Sequence, residues 1–245
     1  MEKLKPKAII FDMGSTLIEY ETLSWSELSK LCAASARKYL KKNGNVLPDE
    51  AGFFDAFEKV KDRYREQAFQ DCIEWTIPQA TETLFKELNI NFEPEMIDAF
   101  FDAYYQPVDK RLFVYGDAVE TLERIKNRYG MIGLVSNTIF PERVHRKELK
   151  RFGIAPYLDF TIFSSTFGIR KPHPDIFYKA CNMAGFAPSE CVYIGDRYVE
   201  DVTGPASIGM PAILKVRQGR EYPPEMLPET RRVESLKELG NHIEL

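Results

Sequence analysis

Four short apolar runs in this chain each lead to a polar residue whose type suits chemistry. AIIF (8–11) runs into Asp12, MIGLV (131–135) into Ser136 and CVYIG (191–195) into Asp196, while DFTIF (159–163) is followed by a 164–171 loop that ends at Lys171. In doubly wound sheets, ligands bind just beyond the carboxyl ends of the strands. Placed there, Asp12 and Asp196 are carboxylates facing one crevice, and they repel unless a cation lies between them. Hard oxygen donors suit Mg²⁺, which often binds one or two carboxylates together with a phosphate. The Ser136 hydroxyl, with the side-chain amide and backbone N–H of Asn137, offers contacts to an anionic oxygen. Lys171 is a compact cation able to neutralise both a carboxylate and a phosphate. Carboxylate, metal, hydroxyl and lysine together fit phosphoryl transfer with an aspartate as covalent nucleophile.

The elements that position these residues follow from periodicity. Residues 22–106 carry helical patterns. Phe53, Phe54, Phe57, Val60, Tyr64 and Phe69 recur at spacings of three to five, an amphipathic stripe over 53–69. Further helices are expected at 22–42, 78–88 and 94–105. From about residue 112, helices at 117–128, 142–152, 174–184 and 199–208 alternate with strands at 131–135, 159–163, 191–195 and 211–216. Such alternation implies a parallel sheet covered on both faces. The Pro-, Arg- and Glu-rich tail 217–234 reads as irregular, and 235–239 as a closing helix. The expected fold class is α/β: a Rossmann-like doubly wound parallel core (1–19 plus 108–245) with an all-helical domain (20–107) inserted after the first strand.

Composition excludes several classes. The chain has 245 residues, 44% hydrophobic and 29% charged, so it is not a disordered chain. Its 33 basic and 37 acidic residues give a net charge of −4, which argues against a nucleic-acid partner. No stretch approaches the ~20 apolar residues of a membrane span. The apolar run after the basic start MEKLKPK is cut off at Asp12, too short for a secretory leader. Cys32, Cys72, Cys181 and Cys191 are scattered without metal-ligand spacing and read as reduced thiols of a cytoplasmic protein.

Four motifs in order, FDMGSTL (11–17), LVSN (134–137), GIRKPHP (168–174) and GDRYVEDVTGPASIGM (195–210), resemble those of the haloacid dehalogenase-like hydrolase superfamily. The helical insert resembles that superfamily's α-helical C1 cap. The resemblance implies a role for each matching position. Asp12 would be the nucleophile that forms an aspartyl-phosphate, and Lys171 would orient it and offset charge. Ser136 and Asn137 would hold the phosphoryl oxygens. Asp12, the backbone carbonyl of Gly14 and Asp196 would ligate Mg²⁺, with Asp201 supporting the metal site. The implied activity is Mg²⁺-dependent hydrolysis of a small phosphorylated metabolite. The resemblance leaves monomer and homodimer open.

One position departs from that pattern. Phosphatases of the superfamily usually carry a second Asp two residues after the nucleophile, as acid and base, and here that residue is Gly14. Losing such help typically costs ~10²–10⁴ in rate. Three readings stay open. The chain is a phosphatase with an undemanding leaving group or a substitute acid–base, for which Glu19, Tyr20 and cap residues are candidates. It is a phosphonatase- or dehalogenase-type hydrolase, with Lys41, Lys42 and Lys59 among the cap lysines available for a Schiff base, although Asp196 argues against a dehalogenase. Or it is a binding or regulatory protein on the same scaffold. His173 reads as a surface or capping residue, Tyr20 and Trp25 as packing within the helical insert, and Tyr104 and Tyr105 have no assignment.

Overall fold

The computed structural model describes residues 2–228 and 230–245; the Phe69 side chain, part of the expected stripe, lies outside the described residues. The chain divides into two compact units. One comprises the residues up to Glu19, Phe113–Thr138 and Glu142–Leu245; the other comprises Tyr20–Leu112 with Ile139–Pro141.

In chain order the strands are β1 (Ala8–Phe11), β2 (Ile18–Glu19), β3 (Phe113–Val114), β4 (Ile132–Ser136), β5 (Phe160–Phe163), β6 (Cys191–Gly195), β7 (Ala212–Lys215) and β8 (Arg231–Val233). The longer helices are α1 (Trp25–Lys42), α2 (Glu50–Asp71), α3 (Ile77–Glu87), α4 (Pro94–Asp109), α5 (Ala118–Tyr129), α6 (Glu142–Arg151), α7 (Ser164–Phe167) and α8 (Pro174–Ala184).

The first unit is a six-stranded parallel sheet in the order β5-β4-β1-β6-β7-β8, flanked by helices. Every residue of β1, β4 and β6 is buried, as the continuous apolar runs require of strands covered on both faces. The strand order reverses at β1, so its carboxyl end, with those of β4 and β6 beside it, is the switch point where such sheets bind ligands. The register brings Phe11 level with Leu134 on one side and Ile194 on the other, which puts Asp12, Ser136 and Asp196 at one edge. Helix α8 starts with Pro174 at its first turn and stops at left-handed Gly185.

The second unit is helical. Capping boxes at Ser24–Glu27 and Thr76–Gln79 start α1 and α3. The stripe on α2 buries Phe53, Phe57 and Val60, and Phe57 meets Phe100 and Tyr104 of α4 edge to face at 5.8 and 5.6 Å. Tyr104 and Tyr105 are thus core residues of this unit. Trp25, expected to pack, is 46% exposed on the first turn of α1.

The elements depart from the sequence expectation at several places, beginning with the unexpected antiparallel pair β2–β3 and the short helix α7. Helix α4 continues through Pro107 to Asp109 instead of ending at 105. The helix expected near 199–208 is present as two joined parts, a π-helix over Val199–Thr203 and an α-helical turn over Gly204–Ala206; Asp201 also accepts from the Arg197 backbone N–H, and Pro205 has no N–H to give. The tail contributes β8, which pairs with β7. The closing helix is a 3₁₀ segment over Leu236–Asn241.

Candidate active site

All the geometry that follows belongs to the sheet-containing unit. Asp12 leaves β1 with its backbone N–H still on the sheet, donating to Ile194 O at 2.8 Å. The chain then turns tightly. Ser15 is left-handed (φ 55), its N–H donates to Ile18 O, and the N–H groups of Leu17 and Ile18 both donate to Met13 O. Gly14 sits in this turn with no side chain to offer. Thr16 Oγ1 donates to Asp12 Oδ2 at 3.3 Å.

Lys171 is the centre of the site. It is 3% exposed, and all three of its ammonium protons have acceptors: Asp12 Oδ1 at 2.8 Å, Asp201 Oδ1 at 2.6 Å and Tyr193 Oη at 2.9 Å. The second oxygen of Asp201 accepts from the Arg197 backbone N–H at 2.8 Å. Asp201 approaches β6 so closely that a methyl group on Gly195 would stand 2.4 Å from its carboxyl carbon. Asp196, 1% exposed, lies with one oxygen 3.0 Å from Arg220 Nη1. Asp12, Asp196 and Asp201 each place a carboxylate oxygen within 4.8 Å of the others, and all three are buried.

The electrostatics follow from that crowding. Burial pushes the Asp12 carboxyl up to about 6; Lys171 works against the rise and Asp201 adds to it. Burial, then Asp12 and Asp201, push Asp196 well above the usual carboxylate range, against Arg220 and Arg197. Burial opposes the charge on Lys171, but Asp12 and Asp201 outweigh it and hold the ammonium well above its ordinary value. The cluster is therefore a set of carboxylates in want of positive charge, with one lysine firmly protonated among them.

Ser136, the last residue of β4, is buried, and its hydroxyl forms no hydrogen bond among the described residues. Asn137 is placed differently from the expectation for its side chain. Its Nδ2 donates to Lys171 O at 2.9 Å and its Oδ1 accepts from Lys171 N at 2.8 Å, so the amide fastens the lysine loop. Behind this turn, His145 Nε2 lies 2.7 Å from Thr138 Oγ1 and His145 Nδ1 lies 2.9 Å from Glu148 Oε2, with the His and the Glu both fully buried. His173 caps α8, its Nδ1 accepting from Asp175 N.

Glu19 is buried and fully engaged. Its Oε1 accepts from Ser15 Oγ at 3.2 Å, and its Oε2 accepts from Tyr115 Oη at 2.6 Å and Arg217 Nε at 3.0 Å. Beside it, Lys215 is buried, donates to Ser15 O at 3.0 Å and lies 3.7 Å from the centre of the Tyr115 ring. Tyr222 accepts from the Arg217 backbone N–H and donates to Asp196 O at 3.1 Å. Sequence reasoning missed Tyr115, Tyr193, Lys215, Arg217, Arg220 and Tyr222. The strand-end rule had the signal for part of this set: Lys215 ends β7, and both arginines follow it at the edge that carries Asp12 and Asp196.

A switch-point site of this composition is that of an α/β hydrolase. The chain belongs to the haloacid dehalogenase-like hydrolases, whose family model matches residues 6–209. Among curated proteins it is 25% identical over 214 residues to the glyceraldehyde 3-phosphate phosphatase of Methanopyrus kandleri, spanning 87% of this chain and 85% of that one. It is 26% identical over 239 residues to the phosphoserine phosphatase of Thermus thermophilus, spanning 92% and 94%. Its fold is similar to that of a 2-haloacid dehalogenase from Pseudomonas syringae pv. Tomato, with a TM-score of 0.73 at 20% identity over 96% and 97% of the two chains. No helix among the described residues is long and apolar enough to cross a membrane.

Proposed function

We propose that this hydrolase is a phosphatase of a small phosphorylated metabolite, working in the cytoplasm through a phosphoaspartate on Asp12, with residues 20–107 as its cap. The observation that carries the reading is the buried ammonium of Lys171 held against both Asp12 and Asp201 at 2.8 and 2.6 Å. Two phosphatase-named relatives that match most of both chains support it.

The residues fit Mg²⁺. Two ligands on opposite sides of one ion stand about 4.2 Å apart, close to the 4.8 Å that bounds the three carboxylate oxygens. Asp196 Oδ2 is buried and forms no hydrogen bond, its charge met by the ion pair with Arg220 Nη1 at 3.0 Å. Asp12, Asp196 and the Gly14 carbonyl would hold the ion, with Asp201 behind them. When bound, the ion would offset the charge of the carboxylates and of a phosphate.

In the reading proposed here, an Asp12 oxygen bonds to phosphorus as the bond from phosphorus to the leaving oxygen breaks. That oxygen keeps the electron pair and takes a proton from solvent. Water then attacks phosphorus, the bond to Asp12 breaks, the carboxylate returns and a proton goes to solvent. Lys171 keeps Asp12 ionised despite its burial and fixes its orientation. Ser136 Oγ and the Asn137 N–H would donate to phosphoryl oxygens. Neither half-reaction has a second aspartate to help it. Glu19 is tied by Ser15, Tyr115 and Arg217, so we read it as a clamp on the 15–19 turn. A leaving group that needs little protonation, such as an acyl or anomeric phosphate, suits such a site, and the second step is the slow one.

The test is phosphate release with Mg²⁺ from sugar-1-phosphates, acyl phosphates, phosphoserine, glyceraldehyde 3-phosphate and 2-aminoethylphosphonate, beside Asp12→Asn. Turnover with an initial burst, lost in the variant, is expected. A linear course at full family rates sinks the slow second step, and turnover that survives Asp12→Asn sinks the nucleophile.

A further inference from the structure

We infer that Tyr193 is a positioning residue for Lys171, an assignment that rests on the phosphatase reading above. Tyr193 lies in the middle of β6, and its side chain is fully buried. Its ring meets Phe177 of α8 edge to face at 5.4 Å, while the hydroxyl is held by partners of its own. The hydroxyl has two partners. Lys171 Nζ is 2.9 Å away, and Val135 O is 2.9 Å away on the neighbouring side.

The direction of both bonds is forced. An ammonium has three donors and no acceptor, so the phenol oxygen must accept from Lys171. The single phenol proton then goes to Val135 O. The chain of bonds runs from Lys171 through Tyr193 to the backbone of β4, one residue before Ser136. Tyr193 therefore ties the lysine of one loop to the strand that carries the candidate phosphate contact.

The consequence for Lys171 is geometric. Asp12 and Asp201 take two of its protons and Tyr193 takes the third. With three fixed acceptors the ammonium cannot swing about its flexible stem, and it presents one constant face to Asp12 Oδ1. Remove the phenol oxygen and one buried proton has no acceptor, so the ammonium gains freedom to rotate and shift. Misplacement of a positioning group by a fraction of an ångström is felt in turnover rather than in affinity. The Asn137 amide holds the Lys171 backbone, so its main chain and its side-chain tip are fixed by separate residues.

Tyr193→Phe keeps the ring and removes only the oxygen. Phe177→Leu is the packing control, since it loosens the same ring contact and keeps the phenol. Two readouts decide the matter. In protein labelled with ¹⁵N-lysine, the Lys171 ammonium signal, assigned by its loss in Lys171→Arg, exchanges slowly with water. It is expected to exchange about tenfold or more faster in Tyr193→Phe and to stay unchanged in Phe177→Leu. With the best phosphomonoester found in the panel, Tyr193→Phe lowers kcat about tenfold and leaves KM within about twofold, while Phe177→Leu lowers the unfolding midpoint and keeps kcat within about twofold. Unchanged ammonium exchange in Tyr193→Phe overturns the tether. Unchanged kcat, or a change confined to KM, overturns the positioning role. If the wild-type protein releases phosphate from nothing in the panel, the phosphatase reading fails, and the exchange measurement alone still decides whether Tyr193 holds Lys171.

Discussion

Replacing Gly195 by alanine tests whether the site depends on the close approach of Asp201 to β6. In a strand interior alanine normally beats glycine by roughly 0.5–1 kcal/mol, so without a clash the change would be neutral or stabilising. Here the new methyl would stand 2.4 Å from Asp201 Cγ, 2.5 Å from Oδ2 and 2.6 Å from Cβ. Carbon atoms in good contact lie about 3.5–4.0 Å apart, so Asp201 must retreat by about 1 Å. Its bonds to Lys171 at 2.6 Å and to the Arg197 N–H at 2.8 Å would then stretch to ~3.6 Å or more, beyond hydrogen-bonding range. Each such charged bond is worth ~1.5–3 kcal/mol, so a loss of about 4 kcal/mol is expected, a large part of a domain's ~5–15 kcal/mol. Urea denaturation reads it directly. Asp201→Gly deletes all three clashing atoms, so in that background Gly195→Ala should cost less than about 1 kcal/mol, a coupling of about 3 kcal/mol. A Gly195→Ala protein within ~0.5 kcal/mol of wild type, or an equal cost in both backgrounds, refutes the reasoning.

Three further substitutions probe other parts of the molecule. Glu58→Gln in the helical unit removes the charge facing Lys61, which is 1% exposed, and should cost about 3 kcal/mol near neutral pH. Burial works to raise the Glu58 carboxyl, but hydrogen bonds from Lys61 and Ser29 outweigh it and hold the group below its ordinary 4.5. Its contribution is therefore full above 4.5 and lost as pH falls through the lower folded value, so the gap between variant and wild type in denaturation should close in acid. Glu19→Gln should lower stability by about 1–2 kcal/mol and leave kcat within about threefold; a loss above ~10² would mark an acid–base role instead of a clamp. Gly14→Asp restores the carboxylate that the superfamily pattern places there, and should raise the rate of the second step and abolish the burst, with a ceiling of ~10²–10⁴; a persisting burst would show that something other than that acid limits turnover.

The strand ends were legible because they combine two strong signals, a continuous apolar run and an abrupt polar stop. Asp12, Ser136 and Asp196 needed nothing more, and the parallel sheet followed from the alternation of periods. The rest was hidden for distinct physical reasons. Tyr193 lies inside a buried run, and the pattern that marks its ring as core says nothing of where its hydroxyl points. Tyr115, Lys215, Arg217 and Arg220 act on Glu19, Ser15 and Asp196 across 96, 200, 198 and 24 residues, distances at which local periodicity carries no information. The sequence reads both the amide and the backbone N–H of Asn137 as anion contacts, and the structure engages the amide with the Lys171 backbone, a pairing across 34 residues. The helix expected near 199–208 opens as a π-helix at 199–203, where Asp201 accepts from the Arg197 backbone N–H, a side-chain contact that helix propensity does not contain.

The charges at the sheet edge bear on the substrate as well as on the fold. Three buried carboxylates face Lys171 and Arg220, and burial already strains the ionisation of Asp12 and Asp196. A phosphate dianion approaching this edge is repelled by the carboxylates of Asp12, Asp196 and Asp201. A divalent cation among these carboxylates would offset their charge and make the same edge more attractive to a dianion. Arg220 is tied to that balance, because it neutralises the carboxylate that would ligate the ion, while Tyr222 fastens its loop to the Asp196 backbone. Adding the cation should therefore stabilise the folded chain whether or not substrate is present, by relieving repulsion among Asp12, Asp196 and Asp201. The effect should be largest where all three are ionised, and it should vanish in Asp196→Asn if that carboxylate is the one the ion needs.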